Sequence, residues 1–353
     1  MSKILITGVA GFVGYHLAQR LIRSGKYEVC GIDNLNDYYD VTLKQDRLNE
    51  LKKLGWSGFK KADIADLVTL NNLFATFKPD IVVNLAAQAG VRYSIKNPHA
   101  YNSSNLTGFL NILECSRHHQ VSHLIFASSS SVYGANRSLP YSEKDNVDHP
   151  VSLYAATKKA GELMAHSYAH LYKLPCTGLR FFTVYGPWGR PDMAYFKFTE
   201  SILQGKPIDI YNHGDMRRDF TYIDDIVESM ERLLSLAPLP DPNWNALVPN
   251  PATSLAPYRI FNIGNNAPEN IKDLIRYLEQ GLGIKALRNF LPMQAGDVYE
   301  TFADTADLYA AVGFKPYTSL EHGLNNFLDW YCSYYKINSG RMSISKSTKK
   351  LSA

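Results

Sequence analysis

The opening of this chain constrains its fold more than any other feature. Residues 3–7 form a short apolar run, and Gly8-Val9-Ala10-Gly11-Phe12-Val13-Gly14 follows at once. The spacing is GxxGxxG, and a helical pattern over residues 11–24 begins inside it. Strand, glycine turn and helix in that order are the first unit of a doubly wound parallel sheet. Gly8 permits the tight turn, Gly11 lets backbone approach a pyrophosphate, and Gly14 allows close helix–strand packing. The helix start, with Phe12 and Val13 in its first turn, offers free N–H groups to phosphate oxygens.

The next strand, residues 28–33, ends on Asp33. A carboxylate there can hold a ribose 2′-OH and repels a 2′-phosphate. No Arg or Lys adjoins it; Asn34 follows instead. The reading is an NAD site, with a purely structural glycine turn as the alternative.

Residues 58–62, 81–85, 124–128 and 177–182 read as further strands. Helical patterns over 67–77, 100–118 and 153–172 fall between them. Repeated strand–helix–strand order predicts an α/β fold, a doubly wound parallel (Rossmann) sheet, over residues 1–182. Asp63, Ile64, Leu85, Ala86 and Ala87 sit at strand ends, where such sheets bind ligands. Their alternative role is ordinary strand termination. Past residue 182, Pro and Gly become frequent. The six prolines between Leu236 and Pro257 predict a long irregular loop. Residues 258–264 then read as a strand and 271–280 as a helix. The chain is therefore expected to return to the sheet near 220–264. The rest of 183–336 is expected to form a smaller mixed α/β substrate-binding domain.

Composition removes several function classes. The net charge of +4 includes Lys336, Arg341, Lys346, Lys349 and Lys350, in a tail without acids, so the body carries −1. That argues against a nucleic-acid partner and makes residues 337–353 a basic, flexible end. No apolar run approaches membrane-spanning length, and residues 4–6 are too short for a signal peptide. No membrane association and a cytoplasmic location are expected. The four cysteines form no CxxC pair and the ten histidines no HExxH, so no metal is expected.

The chemistry is carried by a serine run and a Tyr–Lys pair. Ser128-Ser129-Ser130-Ser131 ends a predicted strand. Tyr154 and Lys158 lie i, i+4 on one helix face. A cation near a phenol lowers its pKa, making Tyr154 a general base. Each feature alone fits a polar loop or a helix surface. Together, after a dinucleotide fingerprint, they give hydride acceptor, base and hydroxyl donor.

These residues resemble those of the extended short-chain dehydrogenase/reductase family, and within it the nucleotide-sugar epimerase branch. The resemblance rests on the glycine motif, the serine run and Tyr154-Ala155-Ala156-Thr157-Lys158. It extends through Gln88-Ala89-Gly90-Val91-Arg92-Tyr93, Gly186-Pro187-Trp188-Gly189-Arg190-Pro191-Asp192-Met193 and Arg218-Asp219-Phe220, to about Tyr335. It implies Ser129, with Ser130 beside it, at a sugar C4 oxygen, Tyr154 as base, and Lys158 and Asn105 at or near the cofactor. It places Arg218 and Asp297 around diphosphate and ribose and Tyr211 against uracil, with Arg92 also among the substrate-binding residues. Thr183 and Arg190 would meet a C6 carboxylate, for which a bidentate arginine is suited; a surface salt bridge is the alternative for Arg190.

The implied activity is NAD-dependent epimerisation at C4 of UDP-glucuronate, giving UDP-galacturonate through a 4-keto sugar with no net redox change. Family members that eliminate or decarboxylate usually carry Glu just before Val-Tyr-Gly. Here Ser131 precedes Val132-Tyr133-Gly134, which favours simple epimerisation. A neutral UDP-hexose or UDP-N-acetylhexosamine epimerase is the alternative, and a non-catalytic NAD-binding protein a further one. The resemblance also implies a homodimer through the helices near 100–118 and 153–172, with Leu163, Met164 and Tyr168 as candidates.

Overall fold

The computed structural model describes residues 1–293 and 299–337; Asp297 and residues 338–353 lie outside the described residues. The first half alternates without exception. It runs β1 (Ser2–Thr7), α1 (Phe12–Ser24), β2 (Tyr27–Asp33), α2 (Val41–Lys53), β3 (Phe59–Lys61), α3 (Leu67–Phe77) and β4 (Ile81–Asn84). Short helices α4 (Tyr93–Lys96) and α5 (Pro98–Tyr101) lead through a π-helical segment, Asn102–Thr107, into α6 (Gly108–His118). Then come β5 (His123–Ser129), α7 (Leu153–Tyr172) and β6 (Cys176–Phe181).

The second half holds β7 (Thr183–Tyr185), α8 (Ala194–Leu203), β8 (Pro207–Tyr211), β9 (Arg217–Tyr222), α9 (Ile223–Leu233) and β10 (Tyr258–Ile263). After it come β11 (Pro268–Asn270), α10 (Ile271–Leu282), β12 (Leu287–Leu291), β13 (Glu300–Thr301), α11 (Ala306–Val312) and α12 (Leu320–Tyr334).

Seven strands form one parallel sheet in the order β10-β6-β5-β4-β1-β2-β3. The expected return to this sheet is β10, at its edge beside β6. Strand β9 instead joins a small separate sheet with β7, β11 and β13. Strand alternation divides the core. Ile4 and Ile6 face the α1 side, whereas Leu5 faces the side packed by α3, α6 and α7. All three residues are fully buried, as a sheet covered on both faces requires.

Local chemistry sets the helix ends. Helix α1 stops at Gly25 in the left-handed region (φ 65°). Ser152 caps α7 by accepting the Ala155 N–H at 3.1 Å, which fixes where Tyr154 emerges. The single helix expected over 100–118 is interrupted by the π-helical turn. Asn105 lies within that turn, and its side chain is committed to other elements. Helix α2 carried no sequence expectation; its buried face includes Lys44 and Arg47 beside Leu43, Leu48 and Leu51. Cations there obscure the apolar period.

Candidate active site

A cleft opens at the carboxyl ends of β1, β2, β4 and β5, where strand order reverses between β1 and β4. Crossovers leave this point on opposite faces of the sheet, so a crevice forms there.

One end of the cleft is built of backbone. Gly8 adopts φ +70°, and a Cβ on it would lie 2.8 Å from the Ala86 backbone nitrogen. A Cβ on Gly14 would lie 2.2 Å from the Gly8 carbonyl oxygen. Only hydrogen fits at either place. Helix α1 begins at Gly11 with no side-chain cap and no acid in its first turn, so its N–H groups remain for an anion. The Asp33 carboxylate accepts the Ala10 N–H (3.1 Å) and the Leu35 N–H (2.8 Å). Burial pushes its pKa up while these hydrogen bonds oppose the shift. Gly8, Gly11, Phe12, Val13, Gly14, Asp33, Asn34, Asp63, Ile64, Leu85, Ala86 and Ala87 all line this end. The Asn34 amide donates to Asp63 (2.9 Å), closing its rim. These residues fit a dinucleotide.

The other end is built of side chains. Ser129, Tyr154, Lys158 and Arg190 line it together. The Ser129 hydroxyl donates to Ser131 Oγ (3.2 Å) and stands beside the Tyr154 phenol. Burial raises the Tyr154 pKa, while Ser129 and the Arg190 charge pull it down. Lys158 was expected to do that lowering. Its Nζ instead donates to the Ala127 carbonyl at 2.9 Å and lies 5.9 Å from the Tyr154 ring centre. Burial brings the Lys158 pKa down to about 8. Arg190 is paired side-on with Asp192, at 2.9 and 2.6 Å.

A model of the NAD dependent epimerase/dehydratase family matches residues 4–245. The chain belongs to this family. It is 56% identical over 334 residues to protein CapI of Staphylococcus aureus, covering 95% of this chain and 99% of that one. It is 49% identical over 340 residues to a probable UDP-glucuronate 4-epimerase of Rhizobium meliloti, covering 95% and 98%. Among solved structures it is similar to UDP-glucuronic acid 4-epimerase from Bacillus cereus in complex with UDP-glucuronic acid and NAD. That match has a TM-score of 0.80 and 33% identity, and covers 94% of this chain and all of the other.

Not every residue singled out in the sequence reaches the epimerase/dehydratase cleft. Asn105 stands behind its wall: it accepts the Gln88 N–H (2.8 Å) and donates to the Gln88 carbonyl and Thr157 hydroxyl (both 3.0 Å). It braces the strand-β4 loop against α7. Half-buried Ser130 starts a short 3₁₀ turn past Ser129, outside the lining. Thr183 starts β7, paired with Phe220, also outside the lining. Arg92 lies with its guanidinium 5.1 Å from the Tyr211 ring centre. Arg218 donates to the carbonyls of Arg217 and Tyr299. Arg92, Tyr211 and Arg218 are likewise outside the lining of the cleft.

Other cleft residues escaped the sequence reading. Lys44 reaches the cleft from α2 and donates to Asn36 twice, at 2.7 Å each. It acts electrostatically on Asp33, so a cation does approach that carboxylate, through tertiary packing. Ser128, one of the serine run, also lines the cleft and donates to Glu162 (2.7 Å), which pairs with Arg180 at 2.8 and 2.9 Å in full burial; neither Glu162 nor Arg180, both behind the lining, was singled out in the sequence. The Ser128–Glu162 bond ties β5 to α7, and the Glu162–Arg180 pair ties α7 to β6. The available signal was a charge at a core position in each element. Among the described residues, no group of three or more His, Cys, Asp or Glu could hold a metal. No helix among them is long and apolar enough to cross a membrane.

Proposed function

We propose that this chain interconverts UDP-glucuronate and UDP-galacturonate by NAD-dependent epimerisation at C4, through a 4-keto sugar and with no net redox change. The observation that carries the reading is one cleft holding a dinucleotide end, a Ser129–Tyr154 hydroxyl pair and a guanidinium at Arg190. NAD, when bound, supplies the reversible hydride acceptor and a positively charged ring.

Tyr154 takes the proton of the C4 hydroxyl, and Ser129 holds the same oxygen. Lys158, anchored on Ala127, fixes the face of α7 that carries the phenol. Arg190 takes the C6 carboxylate with Thr183 nearby, and holds it out of line with the C4 carbonyl. That matters because a 4-keto uronate is a β-keto acid, which loses CO₂ when carboxylate and carbonyl align. Arg92, Arg218, Tyr211 and Asp297 are assigned to the UDP moiety and its approach, and Ser130 to the sugar beside Ser129. Asn105 supports the cofactor by holding Gln88. On this reading residues 1–182, with the return near 220–264, serve the cofactor and 183–336 mainly the nucleotide sugar. Ser131, bonded through its N–H to Ser129 (3.2 Å), replaces the acid that elimination chemistry uses.

A neutral UDP-sugar is the second reading, favoured by one observation: the Arg190 charge is already balanced by Asp192. We further infer a homodimer through α6 and α7. Leu110, Leu163, Leu171 and Tyr172 are exposed there at 42–66%, apolar side chains that a partner helix pair would cover. Met164 and Tyr168 pack inward onto the core. A cytoplasmic setting fits a soluble nucleotide sugar and four buried, unpaired cysteines.

The test is incubation with UDP-glucuronate, with and without added NAD, followed by proton NMR. UDP-galacturonate without accumulated NADH is the expected result. A 4-keto-pentose or UDP-xylose as main product overturns the epimerase reading in favour of decarboxylation. Turnover of UDP-glucose in preference to UDP-glucuronate overturns the uronate assignment.

A further inference from the structure

We propose that Asp192, held by Tyr38, is a positioning residue that aims the Arg190 guanidinium at a sugar carboxylate and so sets the preference for a uronate. The inference rests on the function proposed above.

Arg190 stands on a main chain fixed from the dinucleotide side. The Arg47 guanidinium donates to the carbonyls of Trp188 (2.6 Å) and Gly189 (3.2 Å), and also to that of Ala10 (2.8 Å) in the glycine loop. His16 meets the Pro187 carbonyl at 2.9 Å. These bonds locate the Arg190 backbone but leave a long side chain free to rotate. Asp192 removes that freedom. Its two oxygens take Nε and one terminal nitrogen of Arg190, the side-on geometry of a fork.

A guanidinium has a second, terminal edge. The other terminal nitrogen of Arg190 makes no hydrogen bond to a described residue. Arg190 and Tyr38 both line the cleft, and the Arg190 and Asp192 side chains remain about a quarter exposed. The side-on edge is therefore spent on Asp192, and the terminal edge is available to a ligand carboxylate.

Asp192 is itself held. The Tyr38 hydroxyl donates to its Oδ2 at 3.2 Å, and the Tyr38 ring packs on Tyr93 at 4.8 Å. The loop after β4 closes over this assembly. A Cβ on Gly90 would lie 3.1 Å from the Tyr38 hydroxyl and 3.9 Å from Asp192 Oδ2. Gly90 has φ +102°, so a side chain there is strained by the backbone and would also crowd the Tyr38 hydroxyl.

Asp192 also keeps the guanidinium from standing unpaired in a half-buried site when no carboxylate is bound. Selection for a uronate then comes from aimed hydrogen bonds more than from bare charge. A neutral hydroxymethyl at C6 uses little of that geometry, so loss of aim costs it little.

The experiment measures calorimetric binding of UDP-glucuronate and UDP-glucose to NAD-loaded wild type, Asp192→Asn and Tyr38→Phe, with melting temperatures recorded. Asp192→Asn is expected to weaken UDP-glucuronate about tenfold while UDP-glucose stays within about twofold, the scale of one charge-assisted hydrogen bond. Tyr38→Phe should move the same ratio by about threefold. A purely structural role would weaken both ligands alike, and that outcome overturns the proposal. Tighter UDP-glucuronate binding in Asp192→Asn also overturns it, since Asp192 would then be a competitor. If Asp192→Asn fails to fold, an unchanged ratio in Tyr38→Phe is enough to reject it. A wild type without preference for UDP-glucuronate rejects the function assignment itself; a wild type with preference and variants that keep it reject only the role of Asp192.

Discussion

The two ends of the cleft are made of different material. The dinucleotide end is backbone: Gly8, Gly14, Ala86 and the open turn of α1 touch at distances where no Cβ fits. The proposed sugar end is side chains delivered from β5, α7 and the 186–193 segment, and from Tyr38 more than 150 residues before Arg190. Backbone sites tolerate no added atom, whereas side-chain sites tolerate shape changes but not the loss of one functional group. The two ends should therefore fail differently.

Tyr154→Phe tests the sugar end most severely. It should lower kcat by about 10²–10⁴-fold, the usual worth of a general base, while NAD content and melting temperature stay near wild type. Unchanged turnover would remove Tyr154 from the chemistry. Gly14→Ala tests the opposite failure. Its methyl would sit 2.2 Å from the Gly8 carbonyl oxygen. Urea unfolding should show a loss of about 3 kcal/mol or more, since that neighbour is backbone and cannot rotate away. Full stability with normal NAD binding would mean the turn is looser than described.

Arg190→Ala should raise KM for UDP-glucuronate about 10–100-fold, from the loss of a charge-assisted pair, and leak 4-keto-pentose. A normal KM with a clean product would take the carboxylate away from Arg190. The last effect, which is spread over pH, concerns Lys158. Lys158 has its folded pKa lowered from 10.5 to about 8 by burial. Between those values the unfolded chain binds the extra proton, so stability attributable to this group rises with pH. Compared with Lys158→Met, wild type should gain up to about 1.4 kcal/mol per pH unit across that window. A gain in the opposite direction would show that the ammonium is stabilised in the folded state.

Legibility followed the same division. The glycine turn, the acid at the end of β2 and the strand ends at Asp63 and Ala86 were readable because each is local: a period, a turn residue, a strand terminus. Tyr154 and Lys158 were readable because i, i+4 spacing is also local. Lys44 was not, since a lysine 11 residues past Asp33 reads as helix surface until α2 packs. Arg180 and Glu162 were not, because each is a lone charge in an apolar pattern whose partner lies in another element. The expected effect of Lys158 on the Tyr154 phenol came from spacing alone. The helix does place both groups on one face, but the Ala127 carbonyl takes the ammonium.

The sequence by itself determined the doubly wound sheet, the dinucleotide end and the helix face that presents Tyr154, the base we propose, to the cleft. Short-range sterics and helical period are written in neighbouring residues. Only the tertiary structure decided that Asn105 braces the wall without lining it, that a lysine approaches Asp33, and that Arg190 reaches the cleft already paired with Asp192 under Tyr38. Apart from the Arg190–Asp192 pair, which spans two residues of one loop, those are contacts between segments far apart in the chain, where burial makes an unpaired charge costly and so selects partners that no local pattern names.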